Sequence, residues 1–516
     1  MRHIVIFLLL GASALANAAD GFTFSNTAGP YAVGLRVKQQ YDYSRVFKTR
    51  INLVSGQPST GERARPVQAL LWYPADSGGT SMRYRDYLRT AFTEIDFDMP
   101  ASEVARRDDA MATGLLRGPR TDYARRALAA PMSAVRDAAQ RQGRFPVVVY
   151  APSFSASAFE NADLCEYLAS QGYIVVASAS LGPRTRAMTD NLEGIEAQAA
   201  DIAFLIAYAR TLPQADMERI AVVGFSWGGL SNVMAAAKDD RIGALVSLDG
   251  SMRGFTEYVN GGKDAAKYVT PARLALPLLY LARRASPVEE INKRQIDTTF
   301  SLMNQMKYSD VYIGTMHPMT HLDFSSHALR FSDDGEFQEY SREEAALAHS
   351  WAARYVHRFL DAYLKRDAAA LAFMNNSPAK NQVPAHMLSM DMRRASATPA
   401  NMETLVGTLA RRGFEHAVEV YETLHKQDAA FSLADHSLNS WGYELLRGAK
   451  ERDAVEIFKL GTHLYPDNGN LFDSLGEAHE QVGNKELATA AYRRALALNP
   501  KNNNAALRLK ALGGGA

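Results

Sequence analysis

Residues 220–230 read Ile-Ala-Val-Val-Gly-Phe-Ser-Trp-Gly-Gly-Leu, an apolar run that meets a Gly-x-Ser-x-Gly turn and continues into the small-residue segment 229–237. The apolar residues ahead of Gly224 describe a buried strand, and the segment after it describes a helix able to lie close against that strand. A serine at that junction is lifted out of the sheet on a sharp turn, because the flanking glycines leave room for a tight backbone. A hydroxyl is a weak nucleophile by itself, and this exposure lets a base and amide donors converge on it. Ser226 is the candidate nucleophile.

The surrounding pattern supplies the setting that such a turn requires. Strands are expected at residues 31–47 and 67–73, the second ending at the turn Pro74-Ala75-Asp76. From Phe145 the alternation is regular: strand 147–150, helix 162–171, strand 174–177, helix 194–212, strand 220–223, helix 229–237, strand 244–248. Further strands fall at 277–281 and 311–313, and a long closing helix at 342–373. Alternating strands and helices imply an α/β class built on a mostly parallel sheet with helices on both faces, and the Gly-x-Ser-x-Gly turn between strand and helix makes the α/β-hydrolase fold the expected one. Residues 81–144, rich in Arg and Ala, are expected as a helical insertion in a hydrolase domain spanning 19–374, and 375–400, with Asn376-Ser377-Pro378 and Ala397-Thr398-Pro399, as a linker.

Beyond the linker the chain repeats. Gly442 and Gly476, Ala454 and Ala488, Phe458 and Tyr492, and Pro466 and Pro500 are each 34 residues apart. That is the tetratricopeptide (TPR) period, with small residues where paired helices touch and a proline closing each unit. A less regular copy precedes these, since Ala417-Val418-Glu419-Val420-Tyr421 echoes Ala454-Val455-Glu456-Ile457-Phe458. Residues 401–516 are therefore expected to be an all-α, TPR-like domain able to offer a concave face to a protein partner.

A chain of 516 residues exceeds what one core usually serves, and its formal net charge of +1 gives no electrostatic reason to expect nucleic acid as a partner. Residues 1–18 place Arg2 before an apolar run and end at Ala16-Asn17-Ala18, the pattern of a secretory signal peptide. The expected destination is the periplasm or the medium. No second apolar run reaches spanning length. Cys165 is the single cysteine, expected as a buried structural thiol in a helix.

For Ser226 the base and its orienting acid are expected in the chain order Ser, Asp or Glu, His. Asp249 ends the strand 244–248 at the carboxyl edge, where open α/β sheets place their sites. The next strand ends in Ala282-Arg283-Arg284 without an Asp, which leaves Glu289 and Glu290 as fallback carboxylates. His321 follows the last parallel strand and is the candidate base, with His317 and His327 as neighbours of lesser claim. No helical His-x-x-x-His pairing with a Glu supports a zinc site, and no cofactor is expected. The oxyanion is expected to meet the backbone N–H groups of Trp227 and of Phe154 in the loop Ala151-Pro152-Ser153-Phe154-Ser155.

These residues resemble a family, the platelet-activating factor acetylhydrolases of isoform II and their bacterial relatives often labelled dienelactone-hydrolase-like. The resemblance covers residues 65–373. It rests on Arg65-Pro66 leading to Leu71-Trp72-Tyr73-Pro74, on Met82-Arg83-Tyr84-Arg85-Asp86-Tyr87-Leu88, on Leu168-Ala169-Ser170-Gln171-Gly172-Tyr173-Ile174-Val175, and on Gly224-Phe225-Ser226-Trp227-Gly228-Gly229. It implies Asp249 as acid, His321 as base, and hydrolysis of short or oxidised acyl esters, phospholipid-like ones within that class, without metal or organic cofactor. True dienelactone hydrolases are similar in fold but carry a cysteine where this chain has Ser226. The family's oxyanion loop is usually His-Gly-x-Gly, whereas Pro152-Ser153-Phe154-Ser155 lacks both glycines. A serine held there at positive φ would be strained.

The alternative function is a TPR-based interaction protein whose hydrolase fold is a weakly active or inactive scaffold. The candidates Ser226, Asp249 and His321 favour an enzyme. A peptidase would normally add a gating domain such as a propeller, and none is evident.

Overall fold

The computed structural model describes residues 22–52, 55–117, 121–259, 267–286, 289, 292–293, 301–332 and 334–513. Residues 1–18, expected from the sequence to be a signal peptide, lie outside the described residues. The chain divides into two compact units, Met1–Ser396 and Ala397–Ala516.

The first unit is organised by an eleven-stranded sheet, counted among the described residues. Its strands are β1 (Ala32–Val46), β2 (Ala64–Ala75), β3 (Ser81–Arg83), β4 (Pro131–Arg136), β5 (Phe145–Ala151), β6 (Ile174–Ala177), β7 (Ala215–Phe225), β8 (Ile242–Leu248), β9 (Leu278–Arg283), β10 (Val311–Met316) and β11 (Leu388–Arg393). They lie in the order β11-β10-β9-β8-β7-β5-β6-β2-β1-β4-β3. The run from β6 through β5, β7, β8 and β9 to β10 is parallel, while β2 and β11 join it antiparallel.

The central strands are apolar throughout because both faces of the sheet are covered. Val148 and Tyr150 belong to the core under helices Ala162–Ser170 and Arg342–Leu364. Val147 and Val149 face the opposite core, under Leu192–Ala209 and Gly228–Lys238. Parallel strands with helices on both sides leave their carboxyl ends free, and β5, β7, β8 and β10 all end toward the loops that carry the candidate residues.

Three sequence expectations differ from the structure. Residues 81–144 hold helices Tyr84–Thr90, Ala101–Leu115 and Thr121–Ala129, but β3 and β4 flank them and extend the sheet. Met132 and Ala134 alternate inward while Pro131 and Ser133 face out, a short two-residue period easily overlooked beside the Arg-rich helices. The closing helix stops at Leu364 and restarts as Ala368–Asn375. Arg366 takes φ +55 at the break, and Asp367 accepts a 2.8 Å bond from the Ala370 amide to start the second piece. Finally, the expected linker supplies β11, paired with β10 from Val311↔Arg393 to Met316↔Leu388. Its alternation of Leu388, Met390 and Met392 with polar residues is a strand period that the neighbouring Asn and Pro residues obscured.

The second unit contains the helices Met402–Arg412, Ala417–Gln427, Asp435–Arg447, Glu451–Leu464, Gly469–Gln481, Lys485–Leu498 and Asn503–Ala511. One contact recurs with the period seen in the sequence. A Cβ on Gly442 would lie 2.4 Å from the Phe458 ring, and a Cβ on Gly476 would lie 2.7 Å from the Tyr492 ring. Each glycine thus admits the aromatic ring of the next helix, and buried Ala454 and Ala488 let the pairs approach closely. Among the described residues, no helix is long and apolar enough to cross a membrane.

Candidate active site

β7 ends at Phe225 and the chain turns at once, with Ser226 at φ +53. This strained conformation is held by its own main chain. The Ser226 amide donates to the Leu248 carbonyl at 3.0 Å, and its carbonyl accepts from Gly229 at 2.9 Å and Ser251 at 2.8 Å. The turn closes only on glycine: a Cβ on Gly224 would stand 2.2 Å from the Gly228 carbonyl oxygen. A Cβ on Gly228 would stand 2.0 Å from the Ala151 carbonyl oxygen, so the elbow packs directly on the end of β5.

Asp249 follows β8 at φ +41 and is 7% exposed. Its amide donates to Leu281 at 2.7 Å, and its Oδ1 accepts from the Arg283 amide at 3.1 Å. Oδ2 lies 2.6 Å from Nδ1 of His321, while Nε2 of His321 lies 2.8 Å from the Ser226 hydroxyl. A carboxylate only accepts, so the Nδ1–H donates to Asp249 and Nε2 is left to accept from Ser226.

The loop holding His321 is itself anchored. The Asp323 carboxylate accepts from the Thr320 amide at 2.6 Å, and the Asp323 carbonyl accepts from Nδ1 of His349 at 2.9 Å. Burial pushes the Asp323 carboxyl up from its ordinary range. The Phe225 ring sits 5.1 Å from the His321 ring and backs it.

The neighbouring histidines lie elsewhere. His317 contacts Ser389 of β11 at 3.1 Å. His327 contacts the Tyr84 hydroxyl at 2.8 Å, and burial together with Arg330 pushes its ring down to about 4, leaving it neutral at neutral pH. Glu289 is exposed, and Glu290 falls outside the described residues. Cys165 is fully buried, and burial raises its thiol well above the ordinary range.

Trp227 begins the helix Gly228–Lys238, and its ring meets Phe154 edge-on at 5.3 Å. Among the described residues, neither the Trp227 nor the Phe154 main-chain N–H donates to another group. The loop without glycines does contain a left-handed residue, Ser155 at φ +56. Its Oγ accepts from the Met188 amide at 2.7 Å and its carbonyl accepts from Arg186 at 2.9 Å, which compensates the strain.

Side chains that sequence reasoning passed over complete the loop's support. Gln198 donates to the Pro152 carbonyl at 2.8 Å. Glu160 accepts from the Ser153 amide at 2.8 Å and from the Ser153 hydroxyl, and burial pushes its carboxyl up to about 7. The one clue in the sequence was a carboxylate flanked by Ala158, Phe159 and Ala162, where a solvated face is not expected.

A cavity of about 340 Å³ opens beside His321 and Asp249. Its walls include Arg253, Arg283, Ser251, Phe255 and Tyr280. Phe255 touches Trp227 edge-on at 5.3 Å, continuing the aromatic wall from Phe154. The Tyr280 hydroxyl donates to Gly250 at 3.0 Å, and burial, then the Asp249 charge, keep it protonated. The site thus offers an aromatic side and a cationic side.

Residues 132–317 match the model of the dienelactone hydrolase family. The matched span contains Ser226 and Asp249 and ends just before His321. A search of curated proteins found none that matches. Among solved structures the chain is similar to a ferulic acid esterase from Streptomyces cinnamoneus, at 22% identity and a TM-score of 0.47, over 67% of this chain and 94% of that one. By its similarity to the dienelactone hydrolase family, the chain is a carboxylic ester hydrolase.

Proposed function

We propose that the chain is an exported serine esterase that works through an acyl-enzyme on Ser226, with His321 as base and Asp249 as its orienting acid. Nε2 of His321 takes the Ser226 proton as Oγ bonds to the ester carbonyl carbon. The tetrahedral oxyanion meets the amides of Trp227 and Phe154. Collapse breaks the ester C–O bond, and His321 returns the proton to the leaving alcohol. Water then enters, its oxygen bonds to the acyl carbon as His321 takes its proton, and collapse breaks the bond to Oγ while His321 returns that proton to Ser226 and the carboxylic acid leaves. The observation that carries this reading is the unbroken line of contacts, 2.8 Å and 2.6 Å, from Ser226 through His321 to Asp249.

The substrate is a short or oxidised acyl ester, including phospholipid-like esters. A cavity of about 340 Å³ is at the small end of ligand pockets and suits a short group. Arg253 and Arg283 on its wall favour an acyl chain whose far end carries an oxidised, anionic group. The second unit is a TPR-type repeat that holds a protein partner, supported by the recurring glycine-to-aromatic contact at Gly442 and Gly476. Residues 1–18 direct export to the periplasm or beyond, and amino-terminal sequencing of the mature protein tests this. Hydrolysis of p-nitrophenyl acetate and of longer acyl esters, beside Ser226→Ala, tests the reaction. Turnover that falls steeply with acyl length and vanishes in the variant is expected, and a fully active variant contradicts the mechanism.

A further inference from the structure

The loop 152–155 and the loop carrying His321 leave strands β5 and β10, which are separated in the sheet by β7, β8 and β9. Their relative position is therefore not set by direct strand pairing. Two adjacent residues, Glu160 and Asn161, reach both.

On the β5 side, the Glu160 carboxylate accepts from the Ser153 amide at 2.8 Å, from the Ser153 hydroxyl, and from the Tyr150 hydroxyl at 3.2 Å. On the β10 side, its carbonyl accepts from the His327 amide at 3.0 Å and the Ser325 hydroxyl at 3.2 Å. Asn161 donates to the Phe324 carbonyl at 2.9 Å and to Tyr150 at 2.6 Å, and accepts from the Ser326 amide at 2.8 Å. Asn161 stands at the start of helix Ala162–Ser170, where its side chain would ordinarily cap the helix, yet it makes no capping bond. Its hydrogen bonds are spent on the two loops instead.

Asn161 is fully buried and Glu160 is 8% exposed. The titratable groups facing Glu160 are Tyr150 of β5, Tyr84 of helix Tyr84–Thr90, and His321. Among the described residues, Glu160 has no Lys or Arg partner. A buried carboxylate without a cation is costly, and an apolar or amide residue would hold the fold more cheaply.

We propose that Glu160 and Asn161 are positioning residues for hydrolysis. Glu160, by gripping Ser153, fixes the adjoining Phe154 amide in the oxyanion site. Asn161 and the Glu160 carbonyl fix residues 324–327 and hence the loop that presents His321, so that oxyanion donor and base are set by a single clamp. The inference rests on the reading of Ser226 as the nucleophile. An ionised Glu160 offers both oxygens to Ser153. A protonated one must surrender an acceptor site, so the loop loosens as the carboxyl titrates.

The test uses the full chain and p-nitrophenyl acetate, with kcat and KM measured from pH 5 to 9 for wild type, Glu160→Gln, Glu160→Leu and Asn161→Leu. Loss of a properly placed oxyanion donor costs on the order of 100-fold in kcat. Glu160→Leu and Asn161→Leu are expected to lose kcat on that scale with KM little changed. Glu160→Gln, a neutral isostere of the protonated acid, should hold the loop as that protonated form does at every pH, with a kcat between those of wild type and Glu160→Leu. The acid limb of kcat/KM should require two deprotonations in wild type and one in Glu160→Gln. A folded Glu160→Leu with wild-type kcat overturns the clamp, as does a Glu160→Gln variant that keeps a two-proton limb. The Gln profile decides the matter even where the Leu variants do not fold. If Ser226→Ala is inactive while the Glu160 variants are unaffected, the clamp alone fails; if Ser226→Ala stays active, the nucleophile reading falls with it.

Discussion

Asp249 and His321, 72 residues apart in the chain, meet through a 2.6 Å contact between Oδ2 and Nδ1. The contact fixes the ring so that Nε2 faces Ser226. Asp249→Asn replaces an acceptor with a group that favours the wrong tautomer and cannot stabilise an imidazolium. Its kcat should fall by roughly 10⁴-fold, the loss seen when a triad acid becomes an amide. Exposed Glu289→Gln should leave kcat within about twofold, since surface changes away from a site are usually small. Steady-state kinetics on a short ester check both, and the opposite pattern would move the acid elsewhere.

Gly228→Ala probes the close approach of the elbow to β5. The added methyl would stand 2.0 Å from the Ala151 carbonyl oxygen and 2.8 Å from that of Pro152, both backbone atoms. Overpacking of this kind costs about 1–3 kcal/mol, and here it pushes on the loop carrying Phe154. A lowered melting temperature with a loss of kcat of tenfold or more is expected, read by calorimetry and turnover on one preparation.

Stability should fall as pH rises through the weakly acidic range. Burial pushes the Glu166 carboxyl up to about 7 despite bonds from Tyr87, Ser133 and Ala134. The folded state then keeps a proton that the unfolded chain releases near its ordinary value. The resulting stabilisation is complete below about pH 4.3 and decays as pH climbs to about 7, a change on the order of 3 kcal/mol. Glu166→Gln removes this term. The melting temperature of wild type minus that of the variant should therefore fall from pH 5 to pH 8; a difference that rises contradicts the assignment.

The unit boundary at Ser396 makes a truncation informative. A chain ending at Ser396 keeps β11 and should fold and hydrolyse a small ester at a rate close to the full chain. A chain ending at Lys380 loses β11 and bares the edge of β10, which invites aggregation. Soluble yield and turnover of the two fragments distinguish them, and equal behaviour would show that β11 is dispensable.

Much of this arrangement was legible from local pattern. The Gly-x-Ser-x-Gly turn, the apolar strands β5 to β10 and the 34-residue spacing of Gly442 and Gly476 are each written in neighbouring residues. Other features depend on contacts between distant segments and leave little local trace. Glu160 and Asn161 look like the start of a helix, and only the fold brings Ser153 and Ser326 to them. β11 hid among Asn and Pro residues because its partner, β10, lies more than 70 residues earlier. The left-handed Ser155 is supported by Arg186 and Met188, which no motif links to it.

The most direct measurement is active-site labelling with a fluorophosphonate, followed by peptide mass spectrometry. The full chain should take up one phosphonyl group on Ser226, lose esterase activity in proportion, and show no labelling as Ser226→Ala. Labelling at another residue, or undiminished labelling and turnover in Ser226→Ala, would contradict the assignment of Ser226 as the nucleophile.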